Sequence, residues 1–277
     1  MKQIYTWDAQ PARRNLTVAD LRAGKGLQKR TQTTANTAEE AAAAADAGID
    51  LIMGNAQNTT VVRQGAPHLF FTAAIGLPDY PGERDVLKAA FEALKQGADA
   101  IYTARSLHIV EMLAREDIPV MGHLGLIPRK STWRGGLRAI GRDSGEALEL
   151  SHDFRRLEEA GAFAVESEVI CAPVMEEITR SSGLVTVSLG SGSGADVIYL
   201  FQNDICGEQV KGPRHARAFG NLRKLQDQIA EERRAALTAF RTAALSGDYP
   251  QPRESVTMDQ EQLRFFKDAL PGTGTGS

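Results

Sequence analysis

With 277 residues, of which 42% are hydrophobic and 24% charged, the chain can bury one large α/β core or two small ones. Lys and Arg total 32 against 35 for Asp and Glu, a net charge of -3, and no basic stripe or amphipathic anchor points to nucleic acid or membrane partners. Cys171 and Cys206 form no Cys-x-x-Cys pattern and read as reduced structural thiols. No apolar leader core and no apolar run of about 18 residues occurs, so a soluble, cytoplasmic protein is expected.

In chain order, residues 1 to 15 carry no period, and residues 17–22 read as a helical turn before a strand over 28–34. An alanine-rich helix over 39–47 stops at Gly48 and leads into a strand over 50–54. No full helix fits between Gly54 and His68, so the next strand, over 68–74, follows a shortened connection. An amphipathic helix over 82–95 places Val86, Leu87, Ala90, Phe91 and Leu94 on one face. Strands over 98–103 and 118–122 flank a helix over 107–115. Asp143 and Glu146 have the spacing of a capping box, opening a helix to Ala160. A strand over 162–168, a helix over 174–181 and a strand over 184–189 come next. The glycine-rich loop 190–194 precedes a last strand over 197–201, and residues 213–245 read as charged helices. The tail at 271–277 has linker composition and is expected to be disordered.

Three times, at Gly48, Gly97 and Gly161, a helix ends on glycine and runs into an apolar strand suited to burial on both faces. Eight strands mostly separated by helices predict a (β/α)8 barrel, residues 1–270 forming one domain with C-terminal helices. An open doubly wound sheet is the alternative, but no Gly-x-Gly-x-x-Gly follows the first strand.

Charged side chains at the C-terminal end of a barrel strand are where this fold keeps its chemistry. Glu166 and Glu168 lie two apart on one strand and share a face. Phe163, Val165 and Ser167 take the other face, against the helices, which sends both carboxylates inward. Glu168, nearer the mouth, is the candidate general base; Glu166, one layer deeper, needs a cationic partner or a proton. His123 follows a strand between Gly122 and Gly125, an arrangement that either exposes its imidazole to the mouth or leaves it satisfied by a neighbouring backbone group. The loop 129–136, with Arg129, Lys130 and Arg134, could clamp an anion or simply be solvated. The 190–194 loop is a weak phosphate-cradle signal because it lacks the lysine of a P-loop. Asp204 could cap the segment after it or line the mouth.

Residues 118–128, 157–165 with Glu168, and 203–207 resemble the ketopantoate hydroxymethyltransferases of the phosphoenolpyruvate mutase/isocitrate lyase superfamily. The likeness extends to 17–22 and 246–252, so the resemblance covers nearly the whole domain. It implies a phosphoenolpyruvate mutase-like barrel and an aldol-type addition. There a Mg²⁺-bound 2-oxo acid loses a proton beside its carbonyl, and the enolate attacks the one-carbon unit of methylenetetrahydrofolate. The family's acid–base glutamate falls on Glu168 and its substrate-contacting histidine on His123. Its Gly-Asp-Ser motif becomes Gly54, Asn55 and Ala56, its next acidic position Ala74, and its Lys-x-Glu Tyr102, Thr103 and Ala104.

The expectation is therefore a metal-independent enzyme that makes or breaks a C–C bond alpha to the carbonyl of a 2-oxo acid or related small carboxylate. Glu168 and His123 are assigned to catalysis, and Gly54, Asn55, Tyr102, Arg105 and Glu166 to substrate binding. No metal ligands are assigned, and methylenetetrahydrofolate is a candidate one-carbon donor. Alternatives are a hydrolase, decarboxylase or isomerase on the same barrel, or a catalytically silent binding homologue. A homo-oligomer with no nucleic-acid or membrane partner is expected.

Overall fold

The computed structural model describes residues 1–270, and the tail at 271–277 lies outside the described residues. Residues 1–15, without a period in the sequence, form a hairpin of β1 (Lys2–Tyr5) and β2 (Pro11–Arg14). The barrel strands and helices then alternate: α1 (Val18–Ala23), β3 (Arg30–Thr34), α2 (Ala38–Asp46), β4 (Leu51–Asn55) and α3 (Thr59–Gly65). Next come β5 (Phe70–Ala74), α4 (Glu83–Lys95), β6 (Ala100–Tyr102), α5 (Leu107–Ala114) and β7 (Val120–Gly125). The barrel ends with α6 (Ser144–Glu159), β8 (Ala164–Glu168), α7 (Ala172–Ser181), β9 (Val185–Leu189), β10 (Val197–Tyr199) and α8 (Gln202–Ile205). β3 to β10 form a closed parallel barrel, β10 pairing with both β9 and β3.

Alternation along each strand sorts the side chains. Ile52, Phe71, Ile101, Val120 and Val165 face the helix layer. Leu51, Met53, Phe70, Met121, Val187 and Val197 face the lumen. Leu21 of α1 joins the inner cluster, and Thr17 holds that helix in place with a reciprocal capping box to Asp20. Phe163 departs from expectation. It precedes β8 rather than belonging to it, and packs edge-on against Phe70 within the inner cluster. Phe91 also departs: it lies partly exposed against Trp7, while Ala89 and Ala93 complete the buried face of α4.

The stretch between Gly54 and His68 holds α3, two turns long, where no full helix was expected. Its Arg63 reaches Asp99, whose other oxygen accepts from Arg14 Nε at 2.7 Å; Phe71 N–H donates to Asp99 at 2.9 Å. Burial holds Arg63 below its ordinary value, at about 10. This network ties the hairpin, α3 and the start of β6 together at the N-terminal end of the barrel.

At α6, Asp143 accepts from the Glu146 N–H as expected, but Glu146 does not return the bond to Asp143. Its carboxylate accepts instead from Arg138 and from the N–H groups of Gly141 and Arg142, which fastens the incoming loop.

The described residues group into two compact units, where the sequence reads as one domain to residue 270: Met1–Gly220 contains the barrel, and the second starts at Asn221. The second contains α9 (Leu222–Ser246), which begins nine residues later than the Pro213 start read from the sequence, and α10 (Gln260–Ala269). Asn221 caps α9, and Gly247 closes it in the left-handed conformation. Among the described residues no helix is long and apolar enough to cross a membrane.

Replacing Asp99 by Ala would leave two buried guanidinium groups without their anion. The expected loss is about 3–5 kcal/mol of stability, read by urea unfolding. Bonding to Arg138, then to the Arg142 N–H, draws the Glu146 carboxyl down from 4.5 to about 2. A lowered folded-state value means stability that is complete above pH 4.5 and is lost as pH falls toward about 2. Glu146→Gln should flatten that part of the pH–stability curve.

Candidate active site

The C-terminal end of the barrel carries a polar cluster contributed by three adjacent strands, β6, β7 and β8. β7 and β8 run side by side with His123 opposite Glu166 and Gly125 opposite Glu168. Inward-facing positions therefore present one imidazole and two carboxylates together. His123 Nε2 lies 3.1 Å from Glu168 Oε2 and 3.8 Å from Glu166 Oε1. On the other side of the ring, His123 Nδ1 is 2.7 Å from the Tyr102 hydroxyl. The side chains of His123 and Glu166 are 4% and 6% exposed and that of Glu168 15%, so only Glu168 is partly open to the mouth.

Electrostatics here are set by that burial. The Glu166 carboxyl is pushed up to about 7 by burial, with Glu168 adding to the rise and His123 opposing it. Burial likewise drives the phenols of Tyr102 and Tyr199 well above their ordinary range, and the two carboxylates reinforce the shift. Both tyrosines are neutral hydrogen-bonding groups at any physiological pH.

The glycines flanking His123 serve packing rather than exposing the imidazole. A Cβ on Gly122 would lie 2.6 Å from Leu157 of α6. Gly125, at φ +91°, lets β7 approach the Glu168 carbonyl, where a Cβ would come within 2.3 Å. The Leu126 N–H donates to that carbonyl at 2.7 Å. Just past Glu168 the chain turns through Val169 at φ +49°, a conformation costly for a β-branched residue. Ser191 holds this turn: its hydroxyl donates to the Ser167 carbonyl at 2.6 Å and accepts from the Ile170 N–H at 2.8 Å. Ser188 in turn donates to the Gly192 carbonyl and accepts from the Ser191 N–H. The glycine-rich loop thus braces the strand that carries the glutamates, and its Ser191 is engaged by protein rather than turned to a phosphate.

The other sequence-derived candidates separate. Asn55 stands at the rim end of β4, exposed, with its N–H fixed by Asn36 Oδ1 at 2.8 Å. Gly54 turns its α-carbon toward the helix layer, where a Cβ would sit 2.0 Å from the Ala35 carbonyl oxygen. Arg105 donates to the carbonyls of Tyr80 and Pro81 at 2.7 and 3.0 Å, and so braces the loop after β5. Arg129 donates to the Ala104 carbonyl and lies close enough to act electrostatically on Tyr102. Asp204 is buried within α8, one carboxylate oxygen lacking a hydrogen-bond partner.

Sequence reading missed three inward polar groups: Gln32, Thr72 and Tyr199. The side-chain amide of Gln32 and the hydroxyl of Thr72 are buried without protein partners. The polar run Thr31 to Thr34 in a strand that must face the lumen was the available signal.

The family resemblance implies Mg²⁺ on the wall formed by β4, β5 and β6. Across that wall the register aligns Asn55 with Ala74 and Ala74 with Tyr102. One amide, one methyl and one neutral phenol contribute no carboxylate, whereas Mg²⁺ is ordinarily held through one or two. This donor set does not fit the ion.

The ketopantoate hydroxymethyltransferase family model matches residues 52–252. A 3-methyl-2-oxobutanoate hydroxymethyltransferase of Pyrococcus furiosus is 33% identical, over 82% of this chain and 86% of its own. One from Oleidesulfovibrio alaskensis is 28% identical, over 94% and 96%. Among solved structures, 2,3-dimethylmalate lyase, a phosphoenolpyruvate mutase/isocitrate lyase superfamily member, superposes with a TM-score of 0.50 at 13% identity. It covers 92% of this chain and 99% of the lyase, a likeness of fold. With the match spanning barrel and rim, this chain belongs to the ketopantoate hydroxymethyltransferase family of enzymes.

Proposed function

We propose that the protein makes or breaks a C–C bond alpha to the carbonyl of a 2-oxo acid or related small carboxylate, with Glu168 as the acid–base group. The observation that carries this reading is the pair of inward carboxylates beside one imidazole at the barrel's C-terminal rim, in a chain of this family. Glu168 is the carboxylate open to the mouth, placed to take a proton from the carbon next to the carbonyl. The charge that develops on the carbonyl oxygen needs a preorganised counterpart. The Tyr102 hydroxyl, which also bonds Glu166, can accept from His123 Nδ1–H and turn its own proton to that oxygen. No ion on the Asn55 wall takes part in this reading. Methylenetetrahydrofolate, as in the family reaction, is the proposed one-carbon donor.

Incubation of the protein with 3-methyl-2-oxobutanoate in deuterated water, with proton NMR as the readout, should show loss of the alpha-proton signal. Glu168→Gln should slow that exchange by at least about 100-fold. Tyr102→Phe should lower it by about 100-fold, as expected for removing one oxyanion donor. Exchange that survives Glu168→Gln would overturn the assignment. No exchange, together with no thermal shift on adding the 2-oxo acid, would favour a catalytically silent homologue.

A further inference from the structure

We propose that His123, Glu166 and Glu168 bind one divalent transition-metal ion, of the class of Zn²⁺ or Mn²⁺, on the wall of the barrel mouth opposite Asn55.

One candidate ligand atom from each of these residues, an imidazole nitrogen and two carboxylate oxygens, lies within 4.8 Å of the other two. Of the two separations from His123 Nε2, 3.1 Å falls within and 3.8 Å slightly above the roughly 3–3.5 Å between ligands around an ion with bonds of about 2.1 Å. The closing movement required is small, and all three side chains stand on adjacent strands in fixed register.

The second observation is the orientation of the ring. His123 Nε2 is buried and has no hydrogen-bond partner, even though a carboxylate oxygen lies 3.1 Å away. The nitrogen and oxygen are close but not aligned as N–H and acceptor, which is how two donors to a common cation sit. Nδ1 contacts the Tyr102 hydroxyl at 2.7 Å. With the proton on Nδ1 and shared with Tyr102, Nε2 offers a lone pair, the outer-shell arrangement typical of metal-bound histidine.

Charge points the same way. Among the described residues neither Glu166 nor Glu168 has a Lys or Arg within ion-pair distance; His123 is the one basic group each meets. One buried and one half-buried carboxylate beside one imidazole form a site that a dication would neutralise. An imidazole donor favours borderline transition ions over Mg²⁺. Three protein ligands leave coordination positions for a substrate oxygen, and a Glu168 bound through one oxygen would keep the other for acid–base work. Binding of the ion stands independently of the proposed reaction; its role as the enolate's electrostatic sink rests on that reading.

The test is isothermal titration of the chelator-treated full-length protein with ZnCl₂ and MnCl₂, with MgCl₂ for comparison. A Co²⁺ visible spectrum reports the coordination. Expected are one equivalent of Zn²⁺ or Mn²⁺ bound well above Mg²⁺, a ligand-field band, and at least about tenfold weaker binding in Glu166→Gln and in Tyr102→Phe. Thermal melts establish that the variants are folded; should Glu166→Gln fail to fold, Glu168→Gln provides the same comparison. Absence of a stoichiometric site in the unaltered protein, or binding unchanged in a folded glutamate variant, would overturn the proposal. Alpha-proton exchange separates the two ideas. Ion binding without exchange leaves the site standing and removes the reaction, whereas full-rate exchange in a protein that takes up no ion in the titration removes the site alone.

Discussion

The His123 imidazole, held between the Tyr102 hydroxyl on one ring nitrogen and two glutamates beside the other, is the contact on which the reading of this protein depends. It links the neighbouring strands β6, β7 and β8 along one wall and sets the charge of the barrel mouth. Burial raises the cost of every uncompensated charge there, so two carboxylates in this space demand a positive partner, a proton or both. Glu166 shows that demand directly in a carboxyl pushed up to about 7. Glu168, closer to solvent, has the freer carboxylate, and the division of roles between the two comes from depth.

The remainder of the scaffold holds that cluster still. Below it the lumen is filled by apolar side chains such as Leu51, Phe70 and Phe163, with Leu21 of α1 joining them. Beside it, Ser191 braces the backbone on both sides of Glu168, and Val169 accepts an unfavourable φ at the point where the strand turns away. Strain next to a functional group persists where neighbouring bonds overdetermine it, and here those bonds come from the glycine-rich loop.

The barrel was legible because its signals are local. Glycine stops after helices and doubly buried apolar strands mark each β–α unit, and period-two alternation placed both glutamates inward. What escaped depends on contacts distant in sequence. Nothing in residues 1–15 announces a hairpin, because it is pinned by Arg14 reaching Asp99, 85 positions away. Gly122 and Gly125 look like a device for exposing a histidine, yet they answer to Leu157 and to the Glu168 carbonyl. Arg105 looks like a free cation and is committed to two backbone carbonyls of a neighbouring loop. Tyr199 was overlooked because a tyrosine in a short apolar strand carries no mark of facing the lumen. Side-chain partners across a closed barrel are set by register and shear, which no single segment encodes.

The mouth has two unlike walls: a row of Asn55, Ala74 and Tyr102 without a carboxylate, and a facing row that carries Glu166 and Glu168. The most direct test is a crystal structure with a bound 2-oxo acid. The account predicts its reacting carbon within about 3–3.5 Å of a Glu168 carboxylate oxygen, with its carbonyl oxygen turned toward Tyr102 and His123. A ligand seated against Asn55 on a magnesium ion, with the Glu168 side chain turned out of the mouth, would contradict it.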